Sequence, residues 1–247
     1  MLHSTLETFT KENSNEDLSR KECYEKASEI FDILLPTVHY GAMLSTERQK
    51  AFNNLLKKIA CEGAWKIKEL LKEFSVIGEE ISFGTEKYPP IEIETDYGTI
   101  YLKGKIDRAD KLERDGNVYL RIIDYKSGKK SFSLKNVENG TDLQLAIYMK
   151  ALLSYYKNGI PAAAQYMQIT ENTFSGPELK DFAEKGITLN AFSDILETAK
   201  SKASELSKNM LSGNIEAEKT SACAYCDFSA ICGIKHKKEE NNNAKLD

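Results

Sequence analysis

Asp107, Asp124 and Lys126 are the residues of this chain whose types and spacing best suit chemistry. Period-two alternation in TIYLKGKID puts Tyr101, Lys103, Lys105 and Asp107 on one face of a strand. Ile100, Leu102, Gly104 and Ile106 take the other. In VYLRIIDYK, Asp124 and Lys126 share a face and Tyr125 points away. Asp115-Gly116 signals a tight hairpin between the two strands, which brings Asp107 alongside Asp124. Neighbouring carboxylates repel and are costly to bury unless they hold a cation. Oxygen ligands of this kind suit Mg²⁺ or Mn²⁺. Such a cation polarises a phosphoryl oxygen and lowers the pKa of a bound water, while a lysine orients that water or offsets developing charge. The chemistry indicated is phosphodiester hydrolysis. An Asp-x-Lys triplet alone is more often a surface ion pair, so its neighbours must decide.

Three of the five cysteines form a second cluster, CAYCDFSAIC, with the spacing C-x₂-C-x₅-C at Cys223, Cys226 and Cys232. Thiolates so crowded suit a soft metal or an iron–sulfur cluster better than a disulfide framework. His236 extends the pattern to C-x₂-C-x₅-C-x₃-H, which by itself reads as a zinc site.

The elements that must position these residues fall in a clear order. Residues 1–75 read as helices. Glu16 to Leu35 has helical apolar spacing at Ala27, Ile30, Phe31 and Leu34, closed by Pro36. Ser45 and Thr46 cap a long helix reaching about Phe74, with Phe52, Leu55, Leu56, Ile59, Ile67, Leu70 and Leu71 as its apolar set and Gly63 as an interruption. The period then changes to two, giving strands at 76–84, 91–94, 99–107 and 118–126. Val118, Leu120, Ile122 and Ile123 are apolar regardless of parity, which implies a central strand covered on both sides. Helix is expected at 142–156, strand at 163–170 and a long helix at 190–211. This order predicts an α/β sandwich around a mixed sheet. Residues 76–212 make the core, 213–236 the cysteine segment and 237–247 a disordered tail.

Composition excludes several classes. Hydrophobic residues at 41% and charged residues at 29% are ordinary for a soluble globular chain. No apolar run approaches the ~20 residues of a membrane span. MLHSTLETFT has no basic or apolar leader region, so the protein is expected in the cytoplasm. The net charge of -4 does not advertise nucleic acid, but residues 103–135 carry ten Lys+Arg against five Asp+Glu. A polyphosphate substrate would need such a local excess, and a solvated surface would show it equally. Gly128-Lys129 lacks the first glycine and the hydroxyl residue of a G-x-x-x-x-G-K-[ST] phosphate loop, so no helicase activity is expected.

GKIDRAD and RIIDYKSG, followed by LQLAIY, resemble the PD-(D/E)XK nuclease superfamily, and within it the RecB-like nuclease domains. The resemblance implies a restriction-endonuclease-like core with a central mixed sheet flanked by helices, plus an N-terminal helical segment. It assigns Asp107, Asp124, Lys126 and the Tyr125 carbonyl to the catalytic centre, and Gln144 and Tyr148 to a Q-x-x-x-Y element that meets the site or the DNA. His3, in MLHSTLETF, matches the family's metal-binding histidine on an early helix. Glu80 in GEEISFG matches its acidic strand residue, with Glu79 as the rival. The C-terminal segment SGNIEAEKTSACAYCDFSAICG is similar to that of AddB-type subunits of bacterial ATP-dependent exonuclease complexes. There three cysteines join a fourth from upstream of the nuclease domain in a [4Fe–4S] cluster. Cys23 and Cys61 follow His3 and do not match that upstream position, so the sequence resembles the C-terminal part of a longer protein. The implied activity is Mg-dependent exonuclease action on single-stranded DNA, with an AddA-type helicase-nuclease partner, in double-strand break repair and recombination. A catalytically inactive module of the same fold, binding DNA or a partner, is the alternative.

Overall fold

The computed structural model describes residues 1–214, 216, 223, 226–229 and 231–232, without the side chains of 39–43. Three helices lead: α1 (Leu2–Asn13), α2 (Arg20–Leu34) and α3 (Glu47–Leu70), with a 3-10 segment Leu35–Leu44 before α3. Helix α2 starts four residues later than its apolar pattern suggests, because Ser19 and Glu22 form a reciprocal capping box. Thr46 caps α3 by accepting the Gln49 N–H. Gly63 does not interrupt α3. It is a contact point, where a Cβ would lie 3.1 Å from the Leu6 side chain of α1. Phe52 and Leu55, expected in the core, are more than half exposed.

Strands β1 (Ser75–Phe83), β2 (Ile91–Thr95), β3 (Gly98–Leu102), β4 (Gly104–Arg114) and β5 (Asn117–Lys126) follow. The stretch expected as one strand, 99–107, is two. It breaks at Lys103, so Tyr101 belongs to a separate β2–β3 hairpin while Lys105 and Asp107 belong to the main sheet. Then come α4 (Leu134–Glu138), α5 (Gln144–Tyr155), β6 (Gly159–Gln168), β7 (Thr173–Ser175) and α6 (Leu189–Leu211). The main sheet has the order β1-β4-β5-β6-β7. β5 is its middle strand, antiparallel to β4 and parallel to β6. The β4–β5 turn has positive φ at both Asp115 (53°) and Gly116 (76°), the conformation a two-residue hairpin favours.

Each sheet face carries its own core. Leu120, Ile122, Ala164 and Tyr166 pack against α5 and α6 through Leu145, Met149, Phe192 and Leu196. Ile123, Tyr125, Met167 and Ile169 pack against α1, α2 and α3 through Leu6, Phe9, Phe31 and Ile67. The N-terminal helices are therefore one layer of the fold. Cys23 and Cys61 are buried in this second core, and burial pushes both thiols up. Among the described residues no helix is long and apolar enough to cross a membrane.

Part of the basic excess lies inside the protein. Arg108 is fully buried with its Nε 2.8 Å from Asp110 Oδ1. Arg121 reaches Asp110 Oδ2 at 2.8 Å and donates to the Leu70 carbonyl at 3.1 Å. Neither arginine faces a substrate, which corrects the charge count read from sequence. Burial pushes the Asp110 carboxyl up, but the Arg108 and Arg121 charges outweigh it and hold it below the ordinary carboxylate value. Removing one partner strands buried charge, so Asp110→Ala is expected to lose about 3–5 kcal/mol in urea unfolding at pH 7. A carboxyl whose folded pKa is depressed contributes above its unfolded pKa and loses the contribution as pH falls through the folded one. The gap between the two proteins should therefore narrow below about pH 4, the unperturbed Asp value; a pH-independent gap would contradict the ion-pair origin.

Candidate active site

Pairing of β4 with β5 runs from Arg114/Asn117 to Arg108/Ile123 and stops. Beyond that point β4 pairs only with β1, down to Gly104, and β5 only with β6, out to Lys126. A wedge opens between the two central strands, and the site residues lie at its mouth. Tyr125 N donates to Asp107 Oδ2 at 2.9 Å, a side-chain acceptor in place of a strand carbonyl. Glycine at 104 is required by the close approach of other rings. A Cβ there would sit 2.7 Å from the Phe83 ring and 3.3 Å from Tyr148. Those two rings meet edge-on at 5.8 Å.

Register separates Glu79 from Glu80. Glu79 pairs with Arg108 and shares its buried side of the sheet, where burial pushes its carboxyl up to about 8 against the opposing Arg108 charge. Glu80 falls on the Asp107 side, with φ 55°. A left-handed backbone at a non-glycine residue costs of order 1–3 kcal/mol and is concentrated at functional sites. His3, from the first turn of α1, completes the group. Its Nε2 is 3.2 Å from Glu80 Oε1 and 3.9 Å from Asp107 Oδ2. One ligand atom from each of His3, Glu80 and Asp107 lies within 4.8 Å of the others. The imidazole stacks at a tilt on the Tyr125 ring, centroids 5.2 Å apart. His3 Nε2 is buried without an aligned hydrogen bond. One nitrogen and two carboxylates around such an orphaned atom fit a divalent cation. Lys105 forms an ion pair with the other Glu80 oxygen.

Asp124 is adjacent but differently engaged. It is buried, at 2% exposure. Its Oδ2 lies 2.5 Å from Lys126 Nζ, and its Oδ1 accepts from Gln144 Nε2 at 2.7 Å. Gln144 Oε1 in turn accepts from Lys126 Nζ at 3.1 Å, and Gln144 Nε2 also reaches the Tyr148 hydroxyl at 3.2 Å. Burial pushes the Asp124 carboxyl up. The hydrogen bond from Lys126 opposes this and the charge of Asp107 adds to it.

The structure thus brings His3, Glu80 and Asp107 into one group, and Asp124, Lys126, Gln144 and Tyr148 into a second, linked to it by the Tyr125 N–H bond to Asp107. Of the cysteine cluster, Cys223 and Cys226 are half-buried and Cys232 is exposed; His236 lies outside the described residues. Sequence reasoning missed Arg108, Asp110 and Arg121 as a unit. The signal was there: alternation places 108 and 110 opposite Asp107, and Arg121 interrupts an apolar strand.

A two-faced mixed sheet, opened at its centre around carboxylates and a lysine, is consistent with a restriction-endonuclease-like fold. Residues 1–233 match the PD-(D/E)XK nuclease superfamily, and the chain belongs to that superfamily. Among curated proteins it is similar to the B-type subunit of the ATP-dependent helicase/deoxyribonuclease of Alkaliphilus metalliredigens, at 31% identity over 98% of this chain and 27% of the relative. The protein of the same name from Alkaliphilus oremlandii is 33% identical with the same coverage. That from Caldanaerobacter subterraneus is 28% identical over 100% of this chain and 27% of its own length. The chain spans about a quarter of the length of these relatives.

A ligand that binds only the folded state raises its stability by RT ln(1 + [L]/Kd), about 2.7 kcal/mol at a hundredfold excess over Kd. Mn²⁺ is therefore expected to raise the thermal unfolding midpoint of the wild type and to leave Asp107→Asn almost unmoved. A wild-type midpoint indifferent to Mn²⁺ would count against a cation at this group.

Proposed function

We propose that the chain is a divalent-cation-dependent DNA nuclease domain that hydrolyses phosphodiester bonds as part of a helicase–nuclease. The observation carrying this reading is the convergence of His3, Glu80 and Asp107 beside the Asp124–Lys126–Gln144 triad, at the one place where the central strands part. His3, Asp107, Asp124 and the Tyr125 carbonyl would hold Mg²⁺ or Mn²⁺, with Glu80 as a further carboxylate facing the same atoms. When bound, the cation supplies Lewis-acid polarisation of a phosphoryl oxygen and a water of lowered pKa.

The chain's own residues do the rest. Lys126 is a donor-only ammonium held by two acceptors, Asp124 Oδ2 and Gln144 Oε1. It orients the attacking water and offsets negative charge on the phosphoryl oxygens as the water oxygen bonds to phosphorus. One P–O ester bond breaks; the attacking water gives up a proton to solvent, and the departing oxygen takes one up from solvent and leaves as a hydroxyl. Gln144 keeps Asp124 and Lys126 at fixed separation, so substrate binding need not reorganise them. The name shared by the relatives supports DNA as substrate and a helicase–nuclease setting; the partner would be of the AddA type and the strand attacked single. The basic residues left exposed around the mouth, Lys103, Lys105 and Lys129, support a polyanion.

Cys223, Cys226 and Cys232 would supply three of the four ligands that a [4Fe–4S] cluster or a tetrahedral zinc ion takes. Cys23 and Cys61 are core thiols in the helical layer, and neither is proposed as the fourth. Iron in protein purified without oxygen is expected on the cluster reading, and one zinc per chain would favour His236 as the fourth ligand.

The decisive measurement is degradation of single-stranded DNA with Mg²⁺. Asp124→Ala is expected to lose at least ~10²–10³-fold in rate, the scale seen when one preorganised charge-stabilising group is removed. Equal rates in the two proteins would end the nuclease reading. Tight DNA binding by the wild type with no cleavage would favour the inactive module.

A further inference from the structure

We propose that Lys130 is a second DNA-phosphate ligand, held beside the reaction centre by Tyr166 and Asp142, and that it seats the strand one or more phosphates away from the bond under attack. The inference rests on the nuclease reading for its substrate, but on separate residues for its geometry.

Tyr166 is completely buried near the C-terminal end of β6, and its ring is shared by two ammonium groups. Lys126 Nζ and Lys130 Nζ each lie 5.3 Å from its centroid. The two charges are therefore no further apart than twice that distance. At about 3.4 Å of rise per nucleotide in one strand of a duplex, that is within the span of a few successive phosphates. The Tyr166 hydroxyl donates to Asp142 Oδ1 at 2.6 Å, and Lys130 Nζ is 2.7 Å from Asp142 Oδ2. An ammonium has three N–H bonds, and the one carboxylate contact of Lys130 leaves it donors for another acceptor. Asp142 stands two residues before Gln144, which binds Asp124 and Lys126. The same chain turn thus fixes both lysines.

The loop that carries Lys130 is anchored as well. Phe132 N donates to Ser175 Oγ of β7 at 2.9 Å, and the Phe132 ring packs on the core beneath α5 and α6. Lys130 is about one-third exposed, whereas its neighbour Lys129 is 90% exposed with one loose contact of 3.6 Å to Glu171. A lysine restrained by a buried tyrosine and a buried carboxylate loses less side-chain freedom on meeting a phosphate than one extended into water. Lys129 therefore serves as a control of equal charge, one residue away.

The test is equilibrium binding of a fluorescent single-stranded oligonucleotide, in EDTA so that no cleavage intervenes, across a range of salt concentrations. Lys130→Ala is expected to weaken binding roughly tenfold and to reduce the slope of log K against log salt by about 0.7. Lys129→Ala should do clearly less. Tyr166→Phe keeps both charges but releases Asp142, and should fall between wild type and Lys130→Ala. Replacing single phosphates by neutral methylphosphonates should then reveal one position that costs the wild type affinity and costs Lys130→Ala none. Equal losses for Lys130→Ala and Lys129→Ala, or no such position, would overturn the proposal. Because binding is read without cleavage, a protein that binds in this way yet never cuts DNA loses the nuclease reading alone. One that cuts normally with Lys130→Ala binding unchanged loses only this inference.

Discussion

Where the pairing of β4 with β5 ends at Arg108 and Ile123, the next donor along the wedge, the Tyr125 N–H, has no β4 carbonyl to meet. A backbone N–H away from water must find an acceptor. It finds the Asp107 carboxylate at 2.9 Å, which fixes that side chain at the opening between the strands. The other acidic groups follow from this placement. Glu80 of β1 meets Asp107 within the same group of ligand atoms, and Asp124 is the next side chain on the same face of β5 after Ile122. The Asp107 carboxylate is thus held where the two strands part.

Crowded carboxylates on one side are matched by buried cations on the other. Arg108 follows Asp107 directly in the strand, and alternation sends it to the face where Asp110 and Arg121 meet it. Moving ions of this size out of water costs several kcal/mol each, so the network is not a source of large net stability. Its effect is geometric. Arg121 holds the last turn of α3 through the Leu70 carbonyl and lies 4.1 Å over the Phe74 ring, tying the helical layer to the strand that carries Asp124. That layer includes α1, whose first turn presents His3. The position of the histidine relative to the aspartates therefore depends on packing within the helical layer, including the contact of Leu6 with Gly63.

Much of this was legible in the amino acids. The hairpin at Asp115-Gly116, the doubly covered strand around Ile122 and Ile123, and the helices at 144–155 and 189–211 are strong local signals that the fold honours. The break at Lys103 was not legible, because alternation continues unchanged through it; only the β2–β3 pairing shows that the chain changes sheets. Gly63 has the same ambiguity. A glycine in a helical pattern reads as a weakness unless the neighbouring helix is known. Parity along β1 could not choose between Glu79 and Glu80 until the register with β4 was fixed, since either can face the site if the strand slips by one. The basic excess misled for a related reason: composition counts charges without saying which are paired inside.

Gln144 shows why the site uses a neutral residue at its most connected point. Its side chain must accept from an ammonium and donate to a carboxylate at once, since Lys126 offers only donors and an ionised Asp124 only acceptors. An amide does both in one plane, which also fixes its orientation: the nitrogen toward Asp124 and the Tyr148 hydroxyl, the oxygen toward Lys126. A carboxylate in its place would add a third negative charge beside Asp107 and Asp124, and an ammonium would repel Lys126. The apolar body of α5 sets the height of this amide over the strands, through Leu145, Met149 and Leu152 packed on the sheet. Core packing and site electrostatics therefore meet in one residue, and helix position sets where its amide meets Asp124 and Lys126.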